Sequence, residues 1–288
     1  MTAVEPASLV ARCSFPAAGS SVTCAVSGGA DSLALLALAV EAGCRVTAVH
    51  VDHGLRVGSD MESEVVQSAA ERFGATFRAE RVAVDPGPNL EARARAARYA
   101  VLPPMALTGH TADDQAETML LNLLRGAGLT GLAGFRPEYR PLRLLRRSET
   151  HGLCAELGLT PVHDTSNTDP RFRRNRVRSE LLPLLDDISR RDVTAVLARQ
   201  SDTLRDDGEL LDDLALAVDP TDARALADAP VALARRAVRR WLRSGAELHP
   251  PDAATVERVL AVARGEAVAC EVGHGRSVRR GSGRLTLS

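Results

Sequence analysis

Three clusters of side chains in this chain carry more chemistry than a scaffold needs. The first is Ser27-Gly28-Gly29-Ala30-Asp31-Ser32. Its paired glycines let the backbone turn through positive φ and bring N–H groups close to an anion. A helix opening just after them adds the partial positive charge of its N-terminus. Two hydroxyls can donate to phosphate oxygens, and the Asp31 carboxylate can hold a magnesium ion that bridges them. The Walker phosphate loop, with its lysine, is absent. The same residues also read as a glycine-rich turn in which Asp31 or Ser32 caps a helix. The second cluster is Gly109-His110-Thr111-Ala112-Asp113-Asp114-Gln115-Ala116-Glu117-Thr118. Asp114 and Glu117, three apart on a helix, share one face. The third, Arg171-Phe172-Arg173-Arg174-Asn175-Arg176-Val177-Arg178, puts five guanidinium groups into eight residues. Groups that close repel one another and call for an anionic partner.

These clusters need positioning elements, and the first half of the chain supplies them. Residues 21–26, 45–51, 75–82 and 105–108 read as strands. Helical patterns run between them over about 31–42 and 89–102, with another from the capping-box pattern Ser59-Asp60-Met61-Glu62. A further helix over about 112–124 follows the last strand. Such alternation predicts an α/β domain with a parallel sheet covered on both faces. In a sheet of that kind the carboxyl ends of neighbouring strands line one crevice, where ligands bind. Ser27–Ser32, the group Val51-Asp52-His53-Gly54-Leu55-Arg56, and the segment from Gly109 to Thr118 all fall at such ends. From about Ser189 the pattern turns helical, over 190–216, 230–242 and 251–264, and ends in a glycine-punctuated hairpin or meander over 268–287. The expected domains are therefore 1–188 and 189–288.

Taken together and in order, SGGADS, VDHGLR, GHTADDQAET, LLRGAG and DTSNTDPRFRRNRVR resemble the motifs of the tRNA(Ile)-lysidine synthetases. These belong to the PP-loop, N-type ATP pyrophosphatases, and the match covers roughly residues 20–185. The resemblance implies a Rossmann-like (adenine nucleotide alpha hydrolase-like) catalytic domain followed by a smaller, mainly helical domain, as in short forms of the family. It implies ligase chemistry. ATP adenylates the C2 oxygen of the first anticodon cytidine of tRNA(Ile), anticodon CAU, releasing pyrophosphate. L-lysine then displaces AMP through its side-chain amine to give lysidine.

The same resemblance distributes roles among residues. Ser27, Gly28, Gly29, Ala30, Asp31, Ser32, Asp52, His53 and His110 would bind ATP, with Asp31 helping to hold Mg2+. Lysine arrives charged, with a side-chain pKa of ~10.4. Asp114 and Glu117 would bind that ammonium and accept its proton, flanked by Asp113; with Asp31 they form the catalytic set. First-turn acids also simply complement a helix dipole, although Glu117 lies deeper. Arg95 and Arg98, on a helix resembling one of the family's, would meet phosphate or the lysine carboxylate. With Glu91 they also read as a solvated ion-pair stripe. Arg125, Asn167, Arg174, Asn175 and Arg178 would contact ATP or tRNA phosphates.

Composition narrows the alternatives. The chain has 288 residues, 45% apolar and 25% charged, the balance of a globular protein. It shows no apolar run long enough for a membrane span and no secretory leader, which makes the expected location cytoplasmic. Aromatics are only 3%, which argues against single-strand binding on stacked rings. There is no lysine, so all 36 basic residues are arginine, each a permanently charged planar fork. Residues 136–178 hold ten arginines against five acids, while 186–228 hold five against twelve, so a polyanion should prefer the first block. The arginines at 235, 236, 239, 240 and 243 read as partners for acids in 202–213. Those at 276, 279, 280 and 284 form a weaker candidate for tRNA backbone contact. Five cysteines without a C-x-x-C pair leave no zinc or iron–sulfur ligand set. That counts against a thiolation enzyme built on the same loop, the nearest alternative. A non-catalytic nucleotide- or RNA-binding relative is the other, against which Asp31, Asp113, Asp114 and Glu117 stand. Oligomeric state is open, with a homodimer one option.

Overall fold

A computed structural model describes residues 5–52, 54, 59–83, 87, 90–162, 169–243 and 251–288, with the side chains at 59, 60, 90–92 and 95 outside the description. After a short helix α1 (Pro6–Val10), the chain alternates β1 (Ser21–Ala25), α2 (Ala30–Glu41), β2 (Arg45–Asp52), α3 (Ser59–Arg72), β3 (Thr76–Arg81), α4 (Leu90–Val101) and β4 (Leu107–Thr108). All neighbouring strands pair in parallel, in the order β3-β2-β1-β4. Parallel pairing requires a crossover between successive strands, and α2, α3 and α4 provide the three. This is the expected α/β fold.

The strand order places the site. The chain lays β2 and β3 to one side of β1, then returns to put β4 on the other. Cys24 and Ala25 of β1 align with Leu107 and Thr108 of β4. The loops leaving β1 and β4 therefore diverge from adjacent strand ends, the switch point at which open α/β sheets bind ligands.

α2 is apolar almost all round (ADSLALLALAVE), as a helix buried on every side must be. Leu33, Leu35, Leu36 and Leu38 are fully buried in the main core with Val46, Ala48, Leu142, Leu145 and Leu153. A second cluster, Val49, Leu102 and Ala106, packs separately, together with Ala25 and Val51. β4 is shorter than the expected 105–108. The Ala106 N–H closes a turn onto the Pro103 carbonyl, and Met105 is exposed, so the ladder starts only at Leu107.

Beyond β4 come α5 (Ala112–Leu124), α6 (Leu129–Leu132), α7 (Arg147–Glu156) and a composite helix: α8 (Arg173–Arg176), a π turn (Val177–Leu181) and α9 (Leu182–Ser189). Pro183 lacks an N–H and cannot close the ordinary i→i−4 bond, and a widened turn just before it accommodates that loss. Helix α10 (Val193–Leu214) follows.

The chain divides into two compact units, Met1–Asp202 and Thr203–Ser288, with the division inside α10. The second unit contains α11 (Ala223–Asp228), α12 (Val231–Leu242), α13 (Ala253–Arg264) and an antiparallel meander, β5 (Ala269–Gly273), β6 (Arg276–Gly281) and β7 (Arg284–Leu287). On α12, Ala234, Ala237, Val238 and Leu242 are buried at helical spacing. Of its arginines, Arg236 pairs with Asp212 in the expected 202–213 block, whereas Arg235 pairs with Glu257 and Arg240 donates to the Ala215 carbonyl at 3.0 Å. Among the described residues no helix is long and apolar enough to cross a membrane.

Candidate active site

The loop after β1 is built to bend tightly. Gly28 has φ +82°, in the left-handed region glycine favours. Its carbonyl accepts the Val162 N–H at 3.0 Å. The Ser32 hydroxyl ties the loop from inside, accepting the Ser27 N–H at 3.1 Å and donating to the Gly29 carbonyl at 2.8 Å. Gly109, at the end of β4, is needed for a different reason. A Cβ there would stand 2.5 Å from the Asp31 carbonyl oxygen, so only glycine lets the two strand-end loops approach this closely. The result sets the start of α2 against the segment leading into α5.

Four acids and four arginines meet at this junction. The Thr111 N–H and hydroxyl both donate to Asp114 Oδ2, at 2.9 and 3.1 Å, which caps α5. Asp114 Oδ1 accepts from Arg147 Nη2 (2.9 Å) and Arg174 Nη2 (3.2 Å). Glu117, one turn on and fully buried, accepts from Arg147 Nη1 (2.9 Å) and Arg178 Nε (2.7 Å) on Oε1. Its Oε2 accepts from Arg174 Nε (2.6 Å) and Arg178 Nη2 (3.2 Å). A carboxylate offers about four lone-pair sites, and those of Glu117 are all taken. Asp113 accepts from Arg146 Nε (3.1 Å), Arg146 Nη2 (3.2 Å) and the Arg147 backbone N–H (2.8 Å). Asp31 is the least engaged: it accepts from the Thr150 hydroxyl and, at 3.3 Å, from Arg147 Nε.

Electrostatics follow from that geometry. Burial pushes Asp31 up from the usual carboxylate range, and Thr150 and Arg147 offset this only in part. Burial acts the same way on Asp114, but Arg147, His110 and Arg174 outweigh it and hold Asp114 below its ordinary value. Burial disfavours the charge on Arg147, yet Asp114, Glu117 and Asp31 more than compensate and raise its pKa. Among the described residues no three His, Cys, Asp or Glu side chains converge as metal ligands. Magnesium commonly takes only one or two carboxylates, with phosphate oxygens and waters completing its shell. Asp31, with spare acceptor capacity beside the loop, fits that mode of binding.

Comparison with known proteins decides the family. Residues 6–185 match the PP-loop domain ATP_bind_3, and residues 222–286 match the TilS substrate binding domain. A tRNA(Ile)-lysidine synthase of Nocardia farcinica is 43% identical over 95% of this chain and 93% of its own. One from Rhodococcus erythropolis is 45% identical over 78% of this chain and 74% of its own. The chain belongs to the tRNA(Ile)-lysidine synthase family. It is thus an ATP-using PP-loop ligase of tRNA modification. In fold it also resembles the U34-tRNA thiolase NcsA from Methanococcus maripaludis with its 4Fe-4S cluster (TM-score 0.56, 16% identity, 69% of this chain and 77% of that one).

Within this lysidine synthase fold, Asp31, Asp113, Asp114, Glu117, Arg174 and Arg178 are brought together. Other expected residues stand elsewhere or do other work. Arg125 caps the far end of α5 and is exposed, roughly 16 Å along the helix axis from Asp114. Asn175 is buried and donates to the Asp169 carbonyl at 2.8 Å, which holds its own turn. Asp52 accepts the Gly54 N–H at 2.8 Å and pairs with Arg81 at 3.7 Å. His110 binds the Thr108 hydroxyl through Nδ1 (2.8 Å) and leans on Phe135, with ring centroids 4.8 Å apart. Arg98 lies half-buried on α4. His53, Asn167 and the side chain of Arg95 fall outside the described residues.

Sequence reasoning missed Arg146, Arg147 and Thr150 at the start of α7. Its one hint was that Arg146 and Arg147 belong to the arginine-rich block at 136–178. No motif singled them out.

Proposed function

We propose that this family member ligates L-lysine to the first anticodon cytidine of tRNA(Ile), anticodon CAU, through an adenylated C2 oxygen, with Mg2+ accompanying ATP. One observation carries the reading. Asp31, from the first turn of α2, and Asp114 and Glu117, from α5, surround one cationic position beside the loop that follows β1. That position, held by the Arg147 guanidinium, supports reading the acids as the place for an ammonium beside a loop suited to phosphates.

In the first half-reaction, the Ser27–Ser32 loop and the N-terminus of α2 bind the ATP phosphates. Asp31 would hold the magnesium that offsets charge growing on them. In the second, Asp31, Asp114 and Glu117 receive the lysine ammonium. Asp114 and Glu117 would accept the proton that must leave before the amine can attack. Arg174 and Arg178 keep the acids partly neutralised throughout. Residues 1–188 would carry this catalysis and 189–288 would contact the tRNA, in the cytoplasm.

Thiolation is the weaker reading. A sulfur carrier needs an accessible thiolate. Here Cys24, Cys44 and Cys154 are buried, and burial pushes Cys24 up to about 12 and Cys154 up to about 11.

The test is pyrophosphate release by purified protein from ATP, with and without a tRNA(Ile) transcript bearing CAU, and with and without L-lysine. Release should require the tRNA, and the modified base should form only with lysine. Pyrophosphate release indifferent to tRNA would sink the proposal.

A further inference from the structure

We propose that Arg147 is a positioning residue whose guanidinium occupies the place the lysine ammonium takes, so that lysine binds by displacing it. The inference rests on the lysine-ligating function argued above and goes beyond it.

Three features support an exchange of one cation for another. First, each nitrogen of the Arg147 guanidinium meets a different acid: Nε meets Asp31 Oδ2 (3.3 Å), Nη1 meets Glu117 Oε1 (2.9 Å), and Nη2 meets Asp114 Oδ1 (2.9 Å). An ammonium carries three N–H donors and no acceptor. Withdrawal of Arg147 would thus release three carboxylate oxygens, one for each donor of the incoming group. Second, neither Glu117 nor Asp114 has an acceptor position open without that withdrawal. Glu117 is saturated by three arginines, and Asp114 by Arg147, Arg174 and the Thr111 cap. Third, the charge balances. Asp31, Asp114 and Glu117 bring three negative charges, and Arg174 and Arg178 bring two positive ones. One monovalent cation completes neutrality, whether guanidinium or ammonium.

Arg147 is the arginine suited to leave. It is the one that touches all three acids, whereas Arg174 reaches two and Arg178 one. Its backbone is pinned, because its N–H donates to Asp113 at 2.8 Å at the start of α7. Displacement is then a swing of a long side chain about a fixed pivot, with no helix movement. A bound internal cation also taxes affinity, since the apparent dissociation constant rises as the competent fraction falls.

The experiment has two arms. In the wild-type protein, side-chain Nε–H resonances of 15N-labelled arginine would be followed, with Arg147 assigned by its loss in Arg147→Lys. Saturating L-lysine, added with Mg2+ and a non-hydrolysable ATP analogue, should abolish the slow solvent exchange of Arg147 and leave Arg174 and Arg178 protected. In the second arm, calorimetry should find L-lysine bound about tenfold more tightly by Arg147→Gln than by wild type, because the competitor is gone. Arg147→Lys, which keeps a cation in place, should return affinity towards wild type. Lysine binding that leaves Arg147 protected would overturn the inference while sparing the proposed function. So would unchanged or weaker lysine binding in a folded Arg147→Gln. Failure of wild type to bind lysine at all would instead overturn the proposed function, and this inference with it. The resonance arm decides the matter even if Arg147→Gln does not fold.

Discussion

Arginine does opposite work in the two compact units. In the unit from Thr203 to Ser288, arginines such as Arg235 and Arg284 each pair with a single acid near the surface. Arg235 and Glu257 have side chains 48% and 44% exposed, and Arg284 and Asp219 have 56% and 49%. Such pairs typically contribute about 0–1 kcal/mol. At the junction of α2, α5 and α7, three guanidinium groups share one fully buried carboxylate, Glu117. Removing one partner from a buried arrangement costs about 3–5 kcal/mol, because the others are left uncompensated. Both regions are rich in ion pairs. What separates them is how many cations contend for one desolvated acid, and contention is what a displaceable site requires.

The sharpest challenge to this contrast is Glu117→Gln. It should lower unfolding free energy by about 3–5 kcal/mol in urea titrations, where Glu257→Gln should change it by less than about 1 kcal/mol. Equal effects would erase the distinction. Functionally, Glu117→Gln should allow adenylation and stall lysine transfer, so tRNA carrying labelled AMP should accumulate when ATP and lysine are both supplied.

Next in size is Asp31→Ala, which should cut tRNA-dependent pyrophosphate release by about 10²–10³-fold in a folded protein, the usual loss when a preorganised electrostatic partner goes. Wild-type rates would remove Asp31 from phosphate chemistry.

Asp114→Asn should reveal a pH signature. Because Asp114 is held below its ordinary value, its charged form stabilises the fold above the unfolded pKa of ~3.9, and that contribution disappears as pH falls through the lower folded value. The stability gap between wild type and Asp114→Asn should therefore be full near neutrality and close in acid. A gap that persists at low pH would trace the effect to shape instead of charge.

The smallest effect belongs to Arg235→Ala. Chemical denaturation should register at most about 1 kcal/mol, with tRNA-dependent activity retained.

Local signals carried the fold well and the site only in part. Helix α5 begins and ends at the expected residues, and β1, β2, β3, α2 and α4 differ from expectation by a residue or so at their ends. Helix α7 was illegible because its start lacks the usual capping residue: its first N–H is satisfied by Asp113, 34 residues earlier. Arg147 was hidden for the same reason, with acids 30, 33 and 116 residues away. Arg125 illustrates the opposite relation between sequence and space. Its motif lies close to Glu117 in sequence, but a helix converts that separation into distance.

That the cation among these acids is a guanidinium also bears on chemoselectivity. An adenylated cytidine is an electrophile awaiting an amine, and any neighbouring amine on the protein would compete with the substrate. Buried lysines lose their proton readily and then attack such centres. A guanidinium, with a pKa above ~12, stays protonated and inert. Because the chain contains no lysine anywhere, no side-chain primary amine of its own can attack the adenylated base in place of the free amino acid. The crevice can thus keep a permanent cation against its carboxylates without offering the activated base a second, unwanted target.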